Sequence, residues 1–139
     1  MPKLARILKK EGSLLLLYMA WLPYEDEIAR ASEELVLSYN PNWMGVGETR
    51  HPIDVPACVH QYFVPVHQEE YDLSVPFTRE TWHGRMKACR GVGASLSPEE
   101  ICEWEREHTL LLEEIAPDHF TIKHYAAMVE LKKRERFSL

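Results

Sequence analysis

The sequence predicts an α/β fold, a mixed sheet of about three to five strands with helices packed on it. Three stretches carry that expectation. LLLLYMAW (14–21) is apolar on both alternating faces, as a strand covered on both sides must be. SPEEICEWEREHTLLLEEI (97–115) opens on a capping box and continues with apolar residues at helical spacing. FTIKHYAAMVEL (120–131) alternates as a strand does.

At 139 residues and 45% hydrophobic content the chain has the size of one domain and enough apolar surface for a core. Its net charge of −6 argues against the broad basic face on which a sequence-independent nucleic-acid binder depends and leaves room only for a local basic patch. Cys58, Cys89 and Cys102 are odd in number and form no CxxC pair, so they predict reduced thiols in a cytoplasmic protein rather than a disulfide framework or a thiolate zinc site. The apolar run near the start is too short to span a bilayer and lacks a small-residue cleavage site, so neither a membrane anchor nor a signal peptide is expected.

Lys3 to Lys10 places Leu4, Ile7 and Leu8 on one helical face, with basic residues in the last turn and Gly12 as a terminator. The apolar strand follows. From Tyr24 to Tyr39, acidic residues in the first turn and a stripe of Ile28, Ala31, Leu35 and Tyr39 predict a well-buried helix. Asn40 to Ala57 is rich in proline and glycine and reads as a long ordered loop or lid. Two strands are expected next, Val59 to Val66 and Glu69 to Phe77. Arg79 to Arg90 is helical with Trp82, Arg85, Met86 and Cys89 on one side, and GVGAS is a turn before the capped helix. Phe120 to Leu131 is the closing strand, with a slip in its alternation near His124, and a charged tail ends the chain.

LARILKKEGSLLLLYM resembles the stretch that closes the catalytic core of class I S-adenosylmethionine-dependent methyltransferases, where a helix ending in an RVLKPGG-like turn feeds the fifth strand. Arg6, Ile7, Leu8, Lys9 and Gly12 match that turn, and Lys10 and Glu11 stand where Pro and Gly are usual. VPFTRETWHGRMKACRGVGASLS, PEEICEWEREHTLLLEEI and FTIKHYAAMVELKK are similar to the family's last two strands with a helical insertion between them, in the branch that acts on small molecules. The resemblance implies a partial Rossmann-like sheet and a single domain over 1–139. Residues 1–22 would be the helix and buried strand closing the core, 23–68 a helix and lid-like loop, and 69–139 the last strands with the substrate-region insertion.

The family binds S-adenosylmethionine through the first half of its sheet, by a glycine-rich turn after the first strand and an acidic residue after the second. No such turn stands ahead of Leu4. The resemblance therefore implies the C-terminal half of a methyltransferase, a fragment or one subunit of a split enzyme, with no cofactor expected on this chain alone.

The candidate substrate-binding residues are Trp21, Tyr24, Trp43, Trp82, His83, Arg85 and Arg90. Trp21 and Tyr24 stand just past the end of the first strand, where ligands bind in open α/β sheets. Trp43 lies in YNPNWMGVG, an aromatic and glycine-containing stretch suited to a lid, or else it anchors an ordered loop on the core. In TWHGR, Trp82 offers a flat apolar wall, His83 a group that changes charge near neutrality and Arg85 an anion clamp, and Arg90 can share that last task. The alternative places Trp82 in the core and His83 in water. RGVGAS lacks the pattern of a phosphate loop and reads as an interhelical turn. The seven histidines form no HxH or HxxxH pair, so no metal is expected, and no catalytic residue is singled out, because methyl transfer needs mainly proximity and alignment. Expected partners are a small-molecule substrate and either the missing N-terminal half or a second copy of the chain covering the apolar strand.

Overall fold

The computed structural model describes residues 1–135, so the last four residues of the predicted charged tail lie outside it. The elements run α1 (Pro2–Ile7), β1 (Ser13–Trp21), α2 (Glu27–Tyr39), α3 (Ala57–His60), β2 (Phe63–Thr78), α4 (Arg79–Lys87), α5 (Pro98–Ile115) and β3 (His119–Lys133). The three strands form one sheet in the order β1-β3-β2. β3 runs antiparallel to both neighbours. The N–H of Leu22 donates to the Lys123 carbonyl at 2.9 Å while Ser13 at the other end of β1 bonds Glu130, and Arg134 N–H donates to the Tyr62 carbonyl at 2.8 Å. The architecture is α/β, with three strands and several helices.

Local sequence sets most element ends. Asp26 caps α2 by accepting from the Ala29 N–H at 3.0 Å, so this helix starts at Glu27 rather than at Tyr24. Ser97 and Glu100 form the predicted capping box of α5, with Pro98 at the first position. Thr78 and Thr81 make a second such box for α4, which sequence inspection missed because Thr81 replaces the usual Glu or Gln. α1 ends a turn early, because Leu8 leaves the helix with an extended backbone and packs in a core.

The two strands expected over 59–77 are one 16-residue strand preceded by the short helix α3, and Val59 is helical. The polar HQEEYD stretch is held extended because it lies along β3. Pro65 and Pro76 are tolerated there because β2 is an edge strand.

The chain divides into two compact units, and the division falls inside all three strands. Unit one comprises Met1–Met19, His51–Asp72 and the chain from Tyr125 onward. Its core is Ala5, Val59, Phe63, Val129 and Leu131, with Leu8, Leu14, Leu16, Ile53 and Val55 packed around them. Unit two comprises Ala20–Arg50 and Leu73–His124. Its core is built on Trp21, Val36, Trp82, Met86, Trp104, Leu112 and Ile122. The slip expected near His124 is present: the buried positions of β3 are Ile122 and His124, then Tyr125, Ala127, Val129 and Leu131. No helix among the described residues is long and apolar enough to cross a membrane.

Candidate functional site

The inner face of α2 in unit two carries Ala29, Ser32, Glu33 and Val36, all buried at positions i, i+3, i+4 and i+7. Two of the four are polar, and buried polar groups require partners. Ser32 Oγ accepts from the Trp82 indole N–H at 3.0 Å and lies 3.0 Å from His108 Nε2. Glu33 accepts from the Trp21 indole N–H at 2.6 Å through one carboxylate oxygen and from the Gly47 backbone N–H at 3.0 Å through the other. Burial pushes the Glu33 carboxyl above its ordinary range, and the two hydrogen bonds pull against that shift. Trp21 and Trp82, both among the expected substrate-binding residues, therefore have their indole N–H engaged inside the unit.

The Ser32 contact continues through two imidazoles. His108 Nδ1 lies 2.9 Å from His83 Nδ1, and His83 Nε2 lies 3.6 Å from Glu105, which also binds Lys87 at 2.7 Å. The Trp104 ring stacks on both histidines, with centroids 5.2 Å from His83 and 4.7 Å from His108. Burial, helped by the neighbouring His83, lowers the His108 pKa to about 3, so that ring is neutral. Lys87 draws the Glu105 carboxyl below its usual range. His83 lines a cavity of about 310 Å³ together with Arg79, Glu80, Thr109, Leu112 and Glu113. Arg79 is not free there: its guanidinium donates to the Ala116 carbonyl at 2.6 and 2.8 Å and to Asp118 at 2.9 Å.

Arg85 lies with its guanidinium 4.8 Å from the Trp21 ring centroid, a cation–π geometry, and makes no ion pair among the described residues. Trp21 meets Trp82 edge-on at 5.4 Å and His124 at 6.5 Å, and Phe77 stacks on His124. Burial lowers the His124 pKa.

Trp43 and Arg90 line a separate open groove of about 520 Å³ with Asn40, Asn42, Met44, Gly45 and Ser95. The Trp43 ring rests on Gly91, where an added Cβ would stand 2.7 Å from the ring and 2.8 Å from Val36. That contact anchors the loop, while the next residue, Met44, is 94% exposed. Tyr24 is exposed, and its hydroxyl lies against Gly47, the one described residue with a left-handed backbone (φ 72°).

Of the sequence-predicted residues, Trp21, Trp82 and Arg85 come together, Trp43 and Arg90 share a groove, and His83 and Tyr24 stand apart from both groups. Trp82 is in the core, and His83 is half-buried in a hydrogen-bonded chain rather than turned to water. Ser32, Glu33 and Glu105 were not foreseen. The available signal was the polar pair Ser32–Glu33 between Ala29 and Val36 on an otherwise apolar stripe. The RGVGAS turn uses the N–H groups of Val92, Gly93, Ser95 and Leu96 on its own nearby carbonyls, which suits an interhelical turn and leaves those donors unavailable to an anion. Among the described residues no group of three or more His, Cys, Asp or Glu side chains is placed to hold a metal ion. No family model matches the chain, and neither a curated protein nor a solved structure matches it.

Proposed function

We propose that the chain is the C-terminal, substrate-side region of a class I S-adenosylmethionine-dependent methyltransferase acting on a small molecule, and that it is not active alone. One observation carries the reading. The strand that resembles the family's fifth, β1, and the two that resemble its last, β2 and β3, lie in a single sheet, with the α4–α5 insertion between the last two as the resemblance requires. Trp21 and Arg85 then serve as a flat wall and a fixed cation for a planar or anionic acceptor, and catalysis rests on holding that acceptor in line with the methyl donor. The glycine-rich region that binds S-adenosylmethionine lies outside these 139 residues, upstream or on a second chain. A second reading, a stand-alone interaction module, is favoured by the exposed leucines of β1.

Calorimetric titration of S-adenosylmethionine tests the proposal. Residues 1–139 alone are expected to give no heat of binding. The same titration is expected to give binding when a chain or upstream segment with a strand and a DxGxG-like turn is supplied. Micromolar binding by residues 1–139 alone would overturn the assignment of the cofactor site elsewhere, and a genome with no such segment beside this coding sequence would favour the interaction module.

A further inference from the structure

A three-stranded sheet in the order β1-β3-β2 has two edges, and their sequences differ in kind. β2, FVPVHQEEYDLSVPFT, carries Pro65 and Pro76, which have no N–H to offer, and the charges of Glu69, Glu70 and Asp72. Prolines and charges are the usual means by which an edge strand is kept from pairing with another chain. β1, SLLLLYMAW, has no charge, no proline and no glycine in nine residues. Its sole neighbour in the sheet is β3. On one of its faces Leu15, Leu17 and Met19 are 51%, 72% and 54% exposed. That face of unit one continues into a hollow lined by Glu69, Tyr71, Ala126 and Met128.

We propose that the β1 edge is a self-association surface, on which a second copy of this chain pairs antiparallel with Leu17 opposite the partner's Leu17. The second copy takes the edge that the methyltransferase reading leaves to the missing N-terminal half, so the pairing concerns residues 1–139 on their own. A two-fold axis perpendicular to the sheet keeps each face on its own side, so residues of equal parity meet across the junction. Centred on Leu17, the pairing sets Leu16 against the partner's Tyr18, Leu15 against the partner's Met19 and Leu14 against the partner's Ala20. These three pairs and the central Leu17 pair are uncharged and built on apolar side chains, and Ser13 at the strand start meets the partner's Trp21.

An isologous contact sets each charge of an edge against a copy of the same strand, and β1 is compatible with itself because it has no charge to repel. Two sheets join into one of six strands, and both outer edges become the proline- and acid-bearing β2. The assembly therefore closes at two copies instead of growing into a fibre.

Light scattering on the purified chain, with charge variants at the facing Leu15 and Met19 positions, tests both the surface and the register. The wild-type chain is expected at twice the 16.3 kDa of one copy. Leu15→Lys with Met19→Lys sets lysine against lysine at both facing pairs and is expected to halve the mass. Both positions are more than half exposed, so the circular dichroism of the variant should be unchanged. Leu15→Lys with Met19→Glu sets lysine against glutamate and is expected to restore the doubled mass. A monomeric wild-type chain would overturn the proposal. So would a dimer indifferent to the double-lysine variant, or a lysine–glutamate variant that stays monomeric while the wild type pairs.

Discussion

His83 Nδ1 and His108 Nδ1 face each other at 2.9 Å, so one ring carries a proton at that contact and the other does not. His108 is neutral, fully buried, stacked on Trp104 and bonded at its far nitrogen to Ser32. Its single N–H therefore points to either His83 or Ser32, and Ser32 and His83 must orient to match. Four predictions follow from this network and its surroundings.

Acid should destabilise the fold through His108 well before most carboxylates protonate. The ring is neutral in the folded chain, with its pKa lowered to about 3, and charged in the unfolded chain below the ordinary value of 6.5. The unfolded state thus binds the extra proton. Stability is fully present above pH 6.5 and is lost as pH falls toward about 3, by about 1.4 kcal/mol per pH unit from this one group. Urea midpoints at pH 7 and pH 5.5 measure it. His108→Gln should lower the midpoint at pH 7 and flatten the difference between the two, whereas equal slopes in variant and wild type would remove His108 as the cause.

Glu33→Gln should loosen the tie between α2 and the loop at Gly47. The carboxylate accepts two N–H bonds, one from Trp21 and one from Gly47, and a glutamine side chain can accept only one while setting its own donor against the other. The expected cost is about 1–3 kcal/mol, the range for a buried donor left without an acceptor. Amide exchange at Gly47 is the direct readout, and unchanged protection there would refute the tether.

Gly91→Ala should destabilise by about 1–3 kcal/mol through overpacking, because the new methyl meets the Trp43 ring at 2.7 Å and Val36 at 2.8 Å. Gly84→Ala, where an added methyl meets nothing within 4 Å, is the control and should be neutral or stabilising in its helix. Thermal melts of the two variants, with Trp43 emission followed for the first, compare the sites.

Ser97→Ala should remove the α5 cap at a cost of about 1 kcal/mol. α5 supplies Trp104, Glu105 and His108 to the network, so fraying at its start should also raise amide exchange toward Ile101. A variant as stable as wild type would show that packing alone holds the helix end.

Much of the secondary structure was legible because its causes are local. The proline start and capping box of α5, the burial slip of β3 at His124 and the apolar run of β1 are written in adjacent residues. β2 was read as two strands with a break at His67 and Gln68, and only the length of β3 beside it explains why those residues stay extended. In the site, Trp21, Trp82 and Arg85 could be picked by type, since aromatic and guanidinium groups are suited to ligands. Their actual geometry could not.

By itself, then, the sequence determined most of the helix and strand segments, where most of the helices start and which positions are apolar. Tertiary structure alone decided that β3 enters between β1 and β2, and that β1 is left as an uncharged edge with exposed leucines. It alone also decided that Ser32, His83 and His108 form one hydrogen-bonded chain. The physical reason is range. Caps and periodicity act over three or four residues, whereas Ser32 and His108 are 76 residues apart, and their partnership arises only when burial removes water and obliges each polar atom to find another.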